Sequence, residues 1–192
     1  MTDRMTDRAT DGPAPEFHRP LAVERLGEAG GAVDRFEADA RERAALARRY
    51  AVPGVTAFAV SAAAAPWGPG GWRVEGRARA TLTQTCVVTL EPVETEIDEP
   101  FARWFAPEAR MEEAAALLDP EARDDLEPLG AEIDLGEIAA EIAALAIDPY
   151  PRKPGAAFEG RLHGPPDAAP LTDEAARPFA KLAALKRGGD GA

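Results

Sequence analysis

The run Trp72-Arg73-Val74-Glu75-Gly76-Arg77-Ala78-Arg79-Ala80-Thr81-Leu82-Thr83-Gln84-Thr85-Cys86 changes character at every step. Trp72, Val74, Gly76, Ala78, Ala80, Leu82, Gln84 and Cys86 fall in one phase, and Arg73, Glu75, Arg77, Arg79, Thr81, Thr83 and Thr85 in the other. Successive side chains of a strand point to opposite faces, so this period of two predicts a long strand with one face on a core. Its other face displays three arginines. Beyond Leu90-Glu91-Pro92, a second alternating run sets Val93, Thr95 and Ile97 against Glu94, Glu96 and Asp98. Two such runs about a bend predict an antiparallel pair. Arg77 and Arg79 would then face Glu94 and Glu96 as cross-strand charge pairs, a structural use of the arginines. Phe101, Trp104 and Phe105 are expected to enter the core.

Upstream, Pro53-Gly54 signals a turn, Val55 to Val60 a strand, and Pro66 to Gly71 a connector. Asp34 followed by Glu37 has the form of a capping box, predicting a helix from there to Tyr50. Its apolar face would carry Phe36, Ala40, Ala47 and Tyr50, with Val33 and Leu46 at the margins. Glu37 with Arg41, and Asp39 with Arg43, have the spacing of helical ion pairs. Arg43 falls inside the apolar face, either as a snorkelling side chain or as an interface anchor. Phe17 to Val23 reads as a short strand, with Pro20 marking an edge. Residues 1–15 repeat Met-Thr-Asp-Arg and then turn to Gly and Pro, the composition of a disordered leader.

Downstream, residues 107–132 are acidic and alanine-rich, punctuated by Pro107, Pro120 and Pro128, and predict a mobile acidic loop with a short helix at Met111 to Leu118. Asp134 and Glu137 offer another cap, followed by Leu135, Ile138, Ile142, Leu145 and Ala146 at helical spacing. Asp148-Pro149-Tyr150-Pro151 ends that helix and forces an extended exit, with Arg152 and Lys153 as a basic knuckle. In the Gly/Pro-rich tail from 161 to 192, residues 178–187 read as a short helix with Pro178 at its first position. That helix docks on the domain or serves a partner, and the sequence leaves both open. The expectation is a single α+β domain over 16–160, with a curved antiparallel, partly barrel-like sheet, two main helices and flexible ends.

The formal net charge of −12 is unevenly spread. Residues 91–147 hold seventeen acidic and three basic side chains, a net of −14, leaving the rest near neutral with local basic clusters. Such a charge opposes indiscriminate nucleic-acid binding, without excluding a local basic face, and suits a basic partner protein. A single cysteine excludes an internal disulfide and a cysteine-built zinc site. Cys86 lies in the apolar phase of its strand and reads as a small buried hydrophobe. His18 and His163, the lone Ser61, and the absence of asparagine give no catalytic constellation. The carboxylates of 91–147 lack calcium-loop spacing, and Gly68-Pro69-Gly70-Gly71 contains proline and precedes a strand, unlike a phosphate loop. Neither an enzyme nor a cofactor is expected. No apolar run has the length of a membrane span and the N-terminus lacks an apolar signal region, so a cytoplasmic soluble protein is the simplest reading.

Three blocks together resemble the YceD family, the large ribosomal RNA subunit accumulation proteins. The first runs from Gly76-Arg77-Ala78-Arg79-Ala80 through Gln84-Thr85-Cys86-Val87-Val88-Thr89-Leu90-Glu91-Pro92-Val93 to Ile97 and Phe101. The second is Ile133-Asp134-Leu135-Gly136-Glu137-Ile138, then Glu141 and the exit through Pro151, Arg152 and Lys153; the third is Pro178-Phe179-Ala180-Lys181-Leu182. The positions that carry the likeness as structural ones are Cys86, Leu90, Pro92, Phe101, Asp134, Leu135, Glu141 and Pro151. Many members carry Cys-x-x-Cys-Leu; Thr89 stands here at the second cysteine, and residues 152–155 hold none, so a family metal site fails in this chain. The resemblance implies a non-catalytic factor for accumulation of large-subunit ribosomal RNA, partnered by that RNA or a pre-50S particle. The alternative is an acidic adaptor or chaperone for a basic ribosomal protein. Arg73, Arg77 and Arg79, helped by Arg152, Lys153, Lys186 and Arg187, are the candidate RNA contacts. Nothing in the sequence fixes the oligomeric state.

Overall fold

The computed structural model describes residues 15–157, and the account below concerns the unit ending at Pro154. The leader before residue 15 and the tail reading at 178–187, with Lys186 and Arg187, lie outside the described residues. In chain order come β1 (Pro20–Ala22), α1 (Val23–Ala29), β2 (Ala32–Glu37), α2 (Ala40–Arg49), β3 (Gly54–Trp67), β4 (Gly71–Thr85) and β5 (Pro92–Ala106). Then follow α3 (Met111–Ala115), β6 (Leu126–Pro128), β7 (Glu132–Asp134) and α4 (Leu135–Ala146). One five-stranded sheet has the order β2-β3-β4-β5-β6, and β1 pairs separately with β7. The α+β class holds. The sheet, however, is open, ending at β2 and β6, and not closed into a barrel. It is also mixed, because β6 runs parallel to β5.

β4 occupies the middle of the sheet, and Val74, Ala78, Ala80 and Leu82 are buried on its inner face, the phase that the alternation predicts. Gly76 keeps the phase without a side chain. A Cβ there would run into the Ser61 carbonyl and the Phe101 ring, so the glycine makes room for Phe101. A bulge at Val55/Ala57 shifts the phase of β3, so that Phe58, Val60, Ala62 and Ala64 face inward with Val55. α4 lies across this face through Leu135, Ile138, Ala139, Ala140 and Ala143, whose small side chains permit close approach. Leu145 departs from the expected apolar stripe. It is 82% exposed, because the buried arc is carried by the alanines.

The helix expected from Asp34 begins five residues later. Asp39 Oδ1 accepts from the Arg41 and Glu42 amides at 2.7 and 2.8 Å, and the Asp39 amide in turn donates to Glu42 Oε2 at 2.8 Å. Two Asp-x-x-Glu spacings stand in tandem, and only the second caps. Residues 32–37 pair with the alanine-rich second half of β3, and tertiary pairing outweighs the local capping signal. The expected ion pairs of α2 therefore do not form. Glu37 meets Arg35, Asp39 is spent on the cap, and Arg43 donates to the Ala38 carbonyl.

The short helix expected at Met111 to Leu118 is present as α3, ending at Ala115, and the rest of residues 107–132 is more structured than the loop expected there. Two 3-10 turns flank α3, Ala114 is fully buried, and Arg123 Nε donates to the Ala115 carbonyl at 3.1 Å. Half-buried Arg103 pairs with Asp125 and Glu127, tying the segment back to β5. Phe101 and Phe105 enter the core as expected. Trp104 lies in the opposite phase and belongs to the outer face.

Candidate functional site

The face of the sheet turned away from α4 collects charge by register. Arg35, Ser61 and Arg77 align across β2, β3 and β4, and the next row reads Glu37, Ala59, Arg79 and Asp98. Because β3 offers only Ala57, Ala59, Ser61 and Ala63 here, the centre of the face is low between arginine walls. A hollow of about 510 Å³ lies against Arg35 and Arg77. A second, of about 530 Å³, lies against Arg35, Arg43 and Arg79, with Thr56 and Thr81 at its margin. Arg43 also lines a third hollow, between α2 and the start of β3, beside Arg48 and Val52.

The antiparallel pairing of β4 with β5 is present, but its charge partner differs from the expected ones. Glu94 and Glu96 sit opposite Thr83 and Thr81, while Asp98 faces Arg79. Asp98 Oδ1 accepts from Arg77 Nε at 2.8 Å and Arg79 Nε at 3.1 Å. The Arg77 guanidinium holds the Asp98 carboxyl below its usual range, with Arg79 adding to the effect. One carboxylate thus serves two arginines. The side chains of Arg73, Arg77 and Arg79 remain 42%, 43% and 50% exposed. Each keeps N–H donors beyond those its carboxylate uses, and exposed pairs of this kind are weak enough to exchange partners. Arg73 is held by Glu75 at 2.5 Å and lies 5.5 Å over the Trp104 ring.

Sequence reasoning missed Arg35, and it weighed Arg43 as a snorkelling side chain or an interface anchor without joining it to the strand arginines. The signal for Arg35 was the alternation of residues 32–37, hidden by reading a helix there. Arg152 and Lys153 are not brought to this face. They follow the exit from α4 and meet the chain at Cys86, about 23 Å along β4 from Arg79, where Lys153 Nζ pairs with Glu91 at 2.7 Å.

That meeting joins two blocks widely separated in sequence. Gln84, buried, donates through Nε2 to the Asp148 carbonyl at 2.7 Å and accepts from Thr95 at 2.9 Å. The Val87 amide donates to the Pro151 carbonyl at 2.9 Å. The Cys86 sulfur accepts from the amides of Val88 and Thr89 at 3.4 Å and of Lys153 at 3.3 Å. Cys86 is buried, as its strand phase required, but it stands outside the main apolar cluster and inside a ring of N–H donors. Led by the Lys153 amide and then Thr89, these donors pull its thiol from 9.0 down to about 6.

A thiol acidified by folding makes the folded state gain stability as pH rises. That contribution is complete above 9.0 and is lost as pH falls through about 6. The difference in urea midpoint between the unaltered chain and Cys86→Ala is therefore expected to widen from pH 6 to 9. A gap independent of pH would show that the thiol keeps its proton.

The other positions of the likeness have structural tasks. Asp134 caps α4, Leu135 and Phe101 are core residues, Pro151 is buried, and Pro92 opens β5. Leu90 has a positive φ of 60° and is 76% exposed at the turn. Glu141 is exposed on α4, where its charge adds to burial in raising the Glu127 carboxyl. His18 turns its ring to Asp134 and Glu132, and neither Ser61 nor Cys86 has a histidine partner among the described residues. No group of three His, Cys, Asp or Glu side chains is gathered for a metal among the described residues.

The model of the family described as large ribosomal RNA subunit accumulation protein YceD matches residues 74–186. This chain belongs to the YceD family. The match takes in most of β4, the Cys86 turn, β5, α4 and its exit; β1 to β3, α1 and α2 precede it. Membership carries a role in accumulation of the large-subunit ribosomal RNA. Searches of curated proteins and of solved structures returned no match. No helix among the described residues is long and apolar enough to cross a membrane.

Proposed function

We propose that this chain is a non-enzymatic, cytoplasmic assembly factor that contacts large-subunit ribosomal RNA within the pre-50S particle. The observation that carries this reading is the run of hollows on the outer face, walled by Arg35, Arg43, Arg77 and Arg79. These arginines sit on β2, α2 and β4, interleaved with Glu37, Glu75, Glu96 and Asp98, so the face is mixed in charge and offers phosphates the spare donors of its arginines. Arg73 extends the same face, while Arg152 and Lys153 offer a separate basic point beside the Cys86 turn.

The combined variant Arg35→Gln, Arg77→Gln, Arg79→Gln is expected to bind large-subunit ribosomal RNA at least tenfold more weakly. Its plot of log affinity against log salt should flatten by about two to three, one counterion step for each lost phosphate contact. Unchanged affinity and slope would remove this face as the contact. Retention of a basic ribosomal protein after nuclease treatment, with no RNA affinity of the chain itself, would favour the adaptor reading.

A further inference from the structure

Three tryptophans occur in the chain, and only Trp72 belongs to the apolar cluster. Trp67 and Trp104 lie on the outer face where β3, β4 and β5 meet, half-buried, with ring centroids 6.4 Å apart and planes at 65°. Trp104 stands opposite Arg73, and Arg73 opposite Ala65. The guanidinium of Arg73 rests 5.5 Å from the Trp104 centroid, and its Nε is sealed without a hydrogen-bond partner. Two indoles and a guanidinium thus form a flat-sided cluster that the core does not require. It lies about 13 Å along β4 from Arg77, in the same phase as Arg77 and Arg79.

Resting on the reading of this face as an RNA contact, we propose that its ligand is single-stranded RNA. Unpaired bases stack on the Trp104–Arg73–Trp67 cluster, and the adjoining phosphates lie against Arg77 and Arg79. A duplex offers phosphates and 2′-hydroxyls but keeps its base faces inside, so an aromatic cluster gains nothing from it. An unpaired base presents a π-face that stacks on an indole or on a guanidinium plane, whatever its identity. Glu75 and Asp98 lie between the arginines and oppose a dense run of phosphates. Stacking therefore supplies a larger share of affinity here than on a purely cationic surface, and binding should resist salt more than arginine contacts alone would.

The test uses the full chain with two probes, a short unstructured RNA and a hairpin duplex of equal length. The single strand is expected to bind more tightly and to quench tryptophan emission. Trp67→Leu with Trp104→Leu should lower single-strand affinity about five- to hundredfold, abolish the quenching, and leave duplex affinity where it was. Trp67→Phe with Trp104→Phe keeps stackable rings and should recover most of the affinity, which separates stacking from any loss of packing. Equal affinity for the two probes, or Leu and Phe variants that both bind the single strand like the unaltered chain, would overturn the proposal. If the arginine variant still lost RNA binding in that case, the RNA-contact reading would stand without it. Absence of binding to both probes would remove the two together.

Discussion

A chain carrying Gly136→Ala is expected to unfold with a midpoint about 8 °C lower than the unaltered chain. Gly136 is buried at the second residue of α4. A Cβ there would enter the carbonyl of Phe17 and stand 3.1 Å from the Arg19 amide nitrogen. These neighbours are backbone, so no flexible side-chain tip can swing away. They are also fixed from behind. Phe17 is fully buried and packs edge-on to Phe58 at 5.2 Å, and the Leu135 amide donates to the Arg19 carbonyl at 3.0 Å. Overpacking commonly costs about 1–3 kcal/mol, and against fixed backbone it exceeds that range, at about 3–4 kcal/mol. Alanine returns at most ~1 kcal/mol through its better helix propensity, so the clash wins by about 2–3 kcal/mol, and each kcal/mol shifts the midpoint by roughly 3 °C in a domain of this size. A midpoint equal to that of the unaltered chain would show that the 17–19 segment does not press on α4.

Asp134→Ala should cost nearly as much by another route. Its Oδ1 accepts from the Gly136 amide at 2.9 Å, the Glu137 amide at 3.3 Å and the Arg19 amide at 2.7 Å. Its Oδ2 lies 2.6 Å from His18 Nδ1, and the side chain is only 16% exposed. Losing the cap costs ~1 kcal/mol, and leaving the part-buried Arg19 amide without an acceptor adds about 1–2 kcal/mol. The total is about 2–3 kcal/mol. Asp134→Asn keeps an acceptor at Oδ1 and gives up the charge that suits a helix N-terminus and the His18 ring, for ~1 kcal/mol. Urea midpoints should therefore rank the unaltered chain first, Asn next and Ala well below. Equal midpoints for Asn and Ala would show that the amide bonds carry no stability.

Both predictions turn on a junction that the sequence shows in halves. The capping signal at Asp134 was legible because a cap and its amides lie within three residues. That the same carboxylate also holds Arg19 and faces His18 was not legible, since the 17–19 segment is over a hundred residues away. The Asp34 signal failed for the complementary reason. Asp34 and Asp39 have the same local form, and only the second is followed by backbone free to coil. The first is drawn into β2 by Ala59 to Ala64, a run with no periodicity of its own.

The candidate interface divides in the same way. Arg73, Arg77 and Arg79 share a face because residues two apart in a strand always do. Arg35 and Arg43 join them only through the register of β2 on β3 and the position of α2. The aromatic run 101–105 points Trp104 to the core with its neighbours, yet its phase is opposite to theirs and puts it outside. Asp98 rather than Glu94 or Glu96 takes the arginines because the turn around Cys86, with Leu90 at positive φ, sets where β5 begins to pair.

Alternation and capping are short-range geometry, so the sequence by itself determined the α+β class, the β4–β5 pair, α4 and the buried phase of Cys86. Strand order, the open edges, the parallel β6, the shared Asp98 and the amides around the Cys86 sulfur were decided only by tertiary structure. Each depends on backbone groups that meet across long stretches of chain, and backbone hydrogen bonds leave no mark on the identity of the residues that make them.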